Sequence, residues 1–119
     1  MLLFMKNFFT SRIASLGHAI KGIISFIKTE RNSWIHSMAT IAVITAGFVR
    51  NIDKYGWCCL VIAMALVWIT EAINTAIEKL CDKVTPEQNV IIKLVKDISA
   101  GAVLLASITA VIIGVIVFL

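Results

Sequence analysis

Residues 68–80 read WITEAINTAIEKL. The stretch closes an apolar run that begins at Tyr55, yet it carries Glu71, Asn74 and Glu78. On an α-helix, positions i, i+3 and i+7 share one face, and Thr75 lies beside them at i+4. From Trp57 to Glu71 such a helix rises roughly 21 Å, against a bilayer hydrocarbon core about 30 Å thick. Glu71 therefore falls inside the apolar layer or at its inner edge, with Glu78 about 10 Å further on, among the headgroups. A carboxylate at membrane depth costs at least about 2.5 kcal/mol. It is tolerable where it faces protein, water or a cation, and that is also a setting in which an acid can serve as a general base. An acidic helix end, paired with Lys79 or Lys83, would account for Glu78 alone. It does not account for Glu71 and Asn74 on the same face.

The surrounding chain supports a membrane setting. Its 119 residues are 60% hydrophobic, with a mean hydropathy of +0.96. Soluble domains run nearer about 45–50% apolar. One proline and no low-complexity linker leave residues 1–119 reading as a single domain. The N-terminal MLLFMKNFF is interrupted too early by Lys6, Arg12 and Lys21 to read as a secretory signal. The first membrane helix is expected to serve as the insertion signal. Cys58, Cys59 and Cys81 have neither disulfide-framework nor zinc spacing and read as small apolar filler. The net charge of +4 comes from basic residues beside apolar spans, with no base-reading element, which argues against a nucleic-acid partner.

Three charge-free apolar stretches stand out, at 34–49, 55–70 and 98–119. A spanning helix needs about 20 residues, so the first two must extend into their polar flanks. The expected helices are about 32–50, 55–82 and 90–119. Lys6, Arg12, Lys21, Lys28 and Arg31 precede the first span, and Lys79, Lys83, Lys93 and Lys96 lie between the second and third. The other loop holds only Arg50 and Lys54. This asymmetry places the N-terminus and the 79–97 region in the cytoplasm. In residues 4–28, Phe4, Phe8, Ile13, Leu16, Ile20, Ile23, Ile24 and Ile27 recur at helical spacing, with basic residues largely between them. That pattern predicts an amphipathic helix lying in the membrane surface. The fold class is thus an all-α membrane protein with one surface helix and three transmembrane helices.

Other polar groups fall at the same membrane level. Lys96 and Asp97 stand at the entry of the third span, and Glu30 precedes the first. Acids of this kind suit Mg²⁺, which takes one or two carboxylates plus substrate phosphates. A lysine there suits phosphate, or snorkels to the headgroups. No GxxxxGK[ST] loop is present, so a nucleotide site must be built from side chains on helices. In the third span Ala102, Ala106, Ala110 and Gly114 put a small residue at every fourth position, a pattern that allows close helix approach between subunits.

The segments EAINTAIEKLCDKVTPE and KDISAGAVLLA resemble the small prokaryotic diacylglycerol kinase family, which includes undecaprenol kinases. The family pattern is E-x-x-N-[ST]-A-I-E-x-x-x-D, then A-K-D-x-[AG]-[AS]-A-V-L. ERNSWIH is similar to its E-x-N-F-R-I-H, and the resemblance covers roughly residues 9 to 119. It implies a homotrimeric membrane enzyme with active sites shared between neighbouring subunits. That enzyme uses Mg²⁺ and ATP to phosphorylate a lipid alcohol in the bacterial cytoplasmic membrane. Glu71 matches the proton acceptor, and Glu78 and Glu30 match the acids that hold magnesium with the nucleotide. The resemblance further implies nucleotide contacts for His18, Asn74, Glu87, Gln88, Asn89, Lys96 and Asp97, and lipid contacts for Asn32 and Trp34 beside Glu71. The chain departs from the pattern at Ser33, Trp34, Gln88, Asn89 and His18. TPEQ with AGAVLLA is closer to the undecaprenol kinase branch. From the residues alone, a non-enzymatic membrane subunit or an ion- or proton-conducting transport subunit stands as the alternative, although acids gathered at one membrane face suit a conducting path poorly.

Overall fold

The computed structural model describes residues 1–85 and 89–119. Among these, every regular element is an α-helix: α1 (Leu2–Thr29), α2 (Ser33–Val49), α3 (Lys54–Val84) and α4 (Val90–Phe118). The helices agree with the segments read from hydropathy to within a few residues. With 31 and 29 residues, α3 and α4 are long and apolar enough to cross a membrane. With 17 residues, α2 is apolar but shorter.

The chain divides into two compact units. The first, Met1–Ser33, is α1 and the turn that ends it. No residue of α1 is buried, and Phe4, Phe8, Ile13, Leu16 and Ile20 are all exposed. The Ser33 hydroxyl donates to the Ile27 carbonyl at 2.6 Å and the Glu30 N–H to that of Phe26 at 2.9 Å. These bonds satisfy two of the carbonyls that a helix end leaves without partners.

The second unit, Trp34–Leu119, holds α2, α3 and α4. The turn between α2 and α3 places Asn51 at φ 52°, a left-handed conformation that a short polar side chain tolerates. The Asp53 carboxylate then accepts the Gly56 N–H at 2.8 Å, capping the start of α3. At the end of α2, Gly47 lies under the Trp57 ring, where a Cβ would come within 2.7 Å of the indole. Only glycine allows this approach. Arg50 Nη2 donates to the Phe118 carbonyl at 2.9 Å, joining the turn to the last turn of α4.

At the start of α4, Asn89 Oδ1 accepts the N–H groups of Ile91 and Ile92 at 2.9 and 3.2 Å. Buried side chains of this unit are few and mostly small: Leu60, Ala63, Thr75, Cys81, Ser99 and Ala106. Large ones such as Leu104, Leu105, Ile112 and Ile116 point outward. An apolar surface of this extent belongs against lipid or another protein. Cys81 is buried as filler, whereas Cys58 and Cys59 are exposed. Within the small-residue stripe, Ala106 is buried, and Ala110 and Gly114 line a groove with α2 and α3, so that part of the stripe faces its own chain.

Candidate active site

The polar face of α3 survives folding and splits between two neighbours. Glu71 turns to α2, where His36 Nε2 lies 2.9 Å from its Oε1. The two side chains are only 13% and 22% exposed. Asn74 turns to α4, where its Oδ1 accepts the buried Ser99 hydroxyl at 2.7 Å. Two residues in the same stripe thus each have one oxygen fixed by a different helix. One turn further from the cytoplasmic end expected for α3, Trp68 Nε1 donates to Thr40 Oγ1 at 2.9 Å. The His36 and Trp68 rings meet edge-on, 5.9 Å between centroids. From His36 and Trp68 an apolar groove of about 360 Å³ runs between α2, α3 and α4 to Phe118.

Further along α3, the polar groups reach solvent. Glu78 is exposed, one turn before Asp82. Lys96 Nζ reaches from α4 to Asp82 Oδ1 at 2.5 Å and lies within electrostatic range of Glu78. Asp97 accepts from Lys93 at 2.8 Å on the exposed side of α4. Both expected nucleotide contacts on this helix, Lys96 and Asp97, are therefore held in ion pairs.

The remaining expected site residues are placed as follows. Asn89 spends its side-chain oxygen on the α4 cap. Trp34 is exposed at the first turn of α2. In the first unit, His18 is exposed on α1, while Glu30 ends that helix and its carboxylate faces the Asn32 N–H at 3.5 Å. Glu87 and Gln88 lie outside the described residues. His36, Asp82 and Ser99 fall within the motifs quoted above without a role of their own, and each contacts a residue that has one.

The family described as prokaryotic diacylglycerol kinase matches residues 17–118 of this chain. The chain belongs to that family. The undecaprenol kinase of Bacillus subtilis is 33% identical over 115 residues, which cover 97% of this chain and 90% of that protein. The diacylglycerol kinase of Synechocystis sp. is 38% identical over 103 residues, 86% of this chain and 59% of the longer relative. The diacylglycerol kinase of Escherichia coli K12 is 32% identical over 111 residues, with 87% and 85% covered. As a member of this family the chain is a lipid kinase.

A magnesium requirement can be tested against the donors of this lipid kinase. No group of three His, Cys, Asp or Glu able to enclose a metal occurs among the described residues. The exposed Glu78 carboxylate on α3 offers a small set of hard oxygen donors open to solvent. That set fits an ion arriving with nucleotide phosphates, which supply the remaining oxygens. It does not fit a cage that holds a resident metal.

Proposed function

We propose that this lipid kinase transfers the γ-phosphate of ATP, with Mg²⁺, to the hydroxyl of a membrane lipid alcohol, diacylglycerol or undecaprenol, at the cytoplasmic face of a bacterial membrane. The observation that carries the reading is Glu71, largely buried on a helix of spanning length, with one oxygen engaged and an apolar groove beside it. A lipid hydroxyl at the inner interface meets a carboxylate at that depth. Glu71 takes the hydroxyl proton as the lipid oxygen bonds to the γ-phosphorus. The bond from that phosphorus to the β,γ-bridging oxygen breaks, and ADP departs with its electron pair. The products are a lipid phosphate and ADP.

The other residues position the reactants and neutralise charge, on which phosphoryl transfer mainly depends. By the family resemblance Glu78 and Glu30 would each offer a carboxylate to Mg²⁺, which would neutralise phosphate charge. Lys96 exchanges Asp82 for a phosphate. Asn74 orients a phosphate oxygen through its amide N–H₂, because Ser99 occupies its carbonyl oxygen. Asp97, His18, Glu87, Gln88 and Asn89 border the nucleotide, Asn89 through its remaining N–H₂. Asn32 and Trp34 border the lipid headgroup, a position that suits an interfacial tryptophan. In the membrane, α1 lies on the surface, α2, α3 and α4 span, and three copies share their sites.

The test is a radiolabelled ATP assay on a panel of lipid alcohols with chromatographic separation of products. Wild type is expected to label diacylglycerol or undecaprenol. Glu71→Gln is expected to abolish turnover while nucleotide still binds. A fully active Glu71→Gln protein would falsify the base assignment, and ion flux across vesicles without ATP use would favour the transport alternative.

A further inference from the structure

We propose that His36 is a positioning residue for Glu71: its Nε2–H holds one carboxylate oxygen, so that the other is presented to the lipid hydroxyl. The inference rests on the reading of Glu71 as the base and adds the group that aims it. The contact joins α2 to α3 at 2.9 Å with both side chains mostly buried.

His36 is itself held in place. The Thr40 hydroxyl donates to the His36 carbonyl at 2.7 Å and accepts the Trp68 indole N–H at 2.9 Å. Trp68 lies one turn before Glu71 on α3 and meets the imidazole edge-on. The result is a base, a group that orients it, and an indole packed against the edge of that group. A freely rotating carboxylate would present its oxygens in many directions, and a near-attack geometry tolerates little of this.

A purely structural role explains the pair less well. The register of α2 on α3 is already set by Gly47 beneath Trp57 and by Thr40 bonded to Trp68. A buried ionisable pair is weak evidence for stability, since apolar residues of similar volume often hold helices equally well. What the His36–Glu71 pair adds is control over where the carboxylate points.

The test uses the full chain in mixed micelles, with dioleoylglycerol and undecaprenol each offered as acceptor, and kcat and KM for ATP measured separately. Three substitutions divide the possibilities. The amide nitrogen of His36→Gln sits near the place of Nε2, that of His36→Asn stands where Nδ1 was, and His36→Leu has no donor. His36→Gln is expected to retain kcat within about threefold. His36→Asn and His36→Leu are expected to lose at least about tenfold in kcat, short of the roughly 10²–10⁴-fold of a general base itself, with KM for ATP unchanged. The proposal is overturned by wild-type kcat in His36→Leu, by an equal loss in all three variants, or by a loss confined to KM. If the Leu protein does not fold, the comparison of Gln with Asn decides, since both are polar and close in size. Wild-type kcat in His36→Leu beside an inactive Glu71→Gln removes this proposal alone, whereas an active Glu71→Gln removes the base reading beneath it.

Discussion

Replacing Gly47 with alanine tests the packing of α2 on α3 at their hairpin. The added carbon would lie 2.7, 2.9 and 3.2 Å from three atoms of the Trp57 ring. Carbon atoms rest about 3.5–4.0 Å apart, so ring or helix must give by roughly 0.5–1 Å. Overpacking of this kind costs about 1–3 kcal/mol. Alanine also gains about 0.8–1.0 kcal/mol of helix propensity over glycine, so the single substitution understates the clash. A double-mutant cycle separates the two terms. In a Trp57→Leu background the clash is absent and Gly47→Ala should be neutral or stabilising. In the wild-type background it should destabilise, and the difference should be about 1–3 kcal/mol. Thermal unfolding in one detergent reads this out, at roughly 4 °C per kcal/mol for a chain of this size. Turnover per folded molecule should hold, because Glu71 is about 21 Å along α3 from Trp57. An equal effect of Gly47→Ala in both backgrounds would mean that the indole does not cover residue 47, and the register drawn for the hairpin would fall with it.

Three further outcomes are expected. Ser99→Ala frees the Asn74 amide to rotate; it should lower kcat/KM for ATP several-fold and cost about 1 kcal/mol of stability, and unchanged kinetics would remove Asn74 from the nucleotide site. Glu78→Gln should raise the magnesium concentration needed for half-maximal rate while leaving saturated turnover nearly intact, and an unaltered magnesium titration would count against the metal role. Asp82→Asn should release Lys96 and lower KM for ATP by a few-fold at most, since exposed pairs are weak; a large rise in KM would show instead that Asp82 itself meets the nucleotide or its metal.

The helices were readable because their boundaries are local. Apolar runs, Asp53 before α3 and the polar residues after Val84 act over a few residues, and the structure places the elements accordingly. The polar stripe on α3 was readable for the same reason, since i, i+3 and i+7 meet on any helix. What the stripe touches was not. His36 closes the ERNSWIH motif, but its partner depends on the register between α2 and α3. Thr40 at i+4 puts a second polar group on the same face of that helix. Asn89 shows the converse. The family resemblance implied a nucleotide contact, yet an asparagine just before an apolar helix is also a good N-cap, and its oxygen takes that role. An acidic helix end suggests Lys79 or Lys83 as the partner of Glu78, but the cation fixed in its range is Lys96 of α4, which pairs with Asp82.

The shortness of α2 has a consequence for the bilayer around the enzyme. Seventeen residues rise roughly 26 Å, several ångströms less than an average hydrocarbon core, while α3 and α4 exceed it. In the proposed topology the mismatch draws headgroups inward on the α2 side and tilts the longer helices. In that topology Glu71 and His36 would stand on the thinned flank, with water and the polar ends of lipids dipping toward them. Host lipids with shorter tails should therefore favour the working state, and thick, sterol-like matrices should slow it.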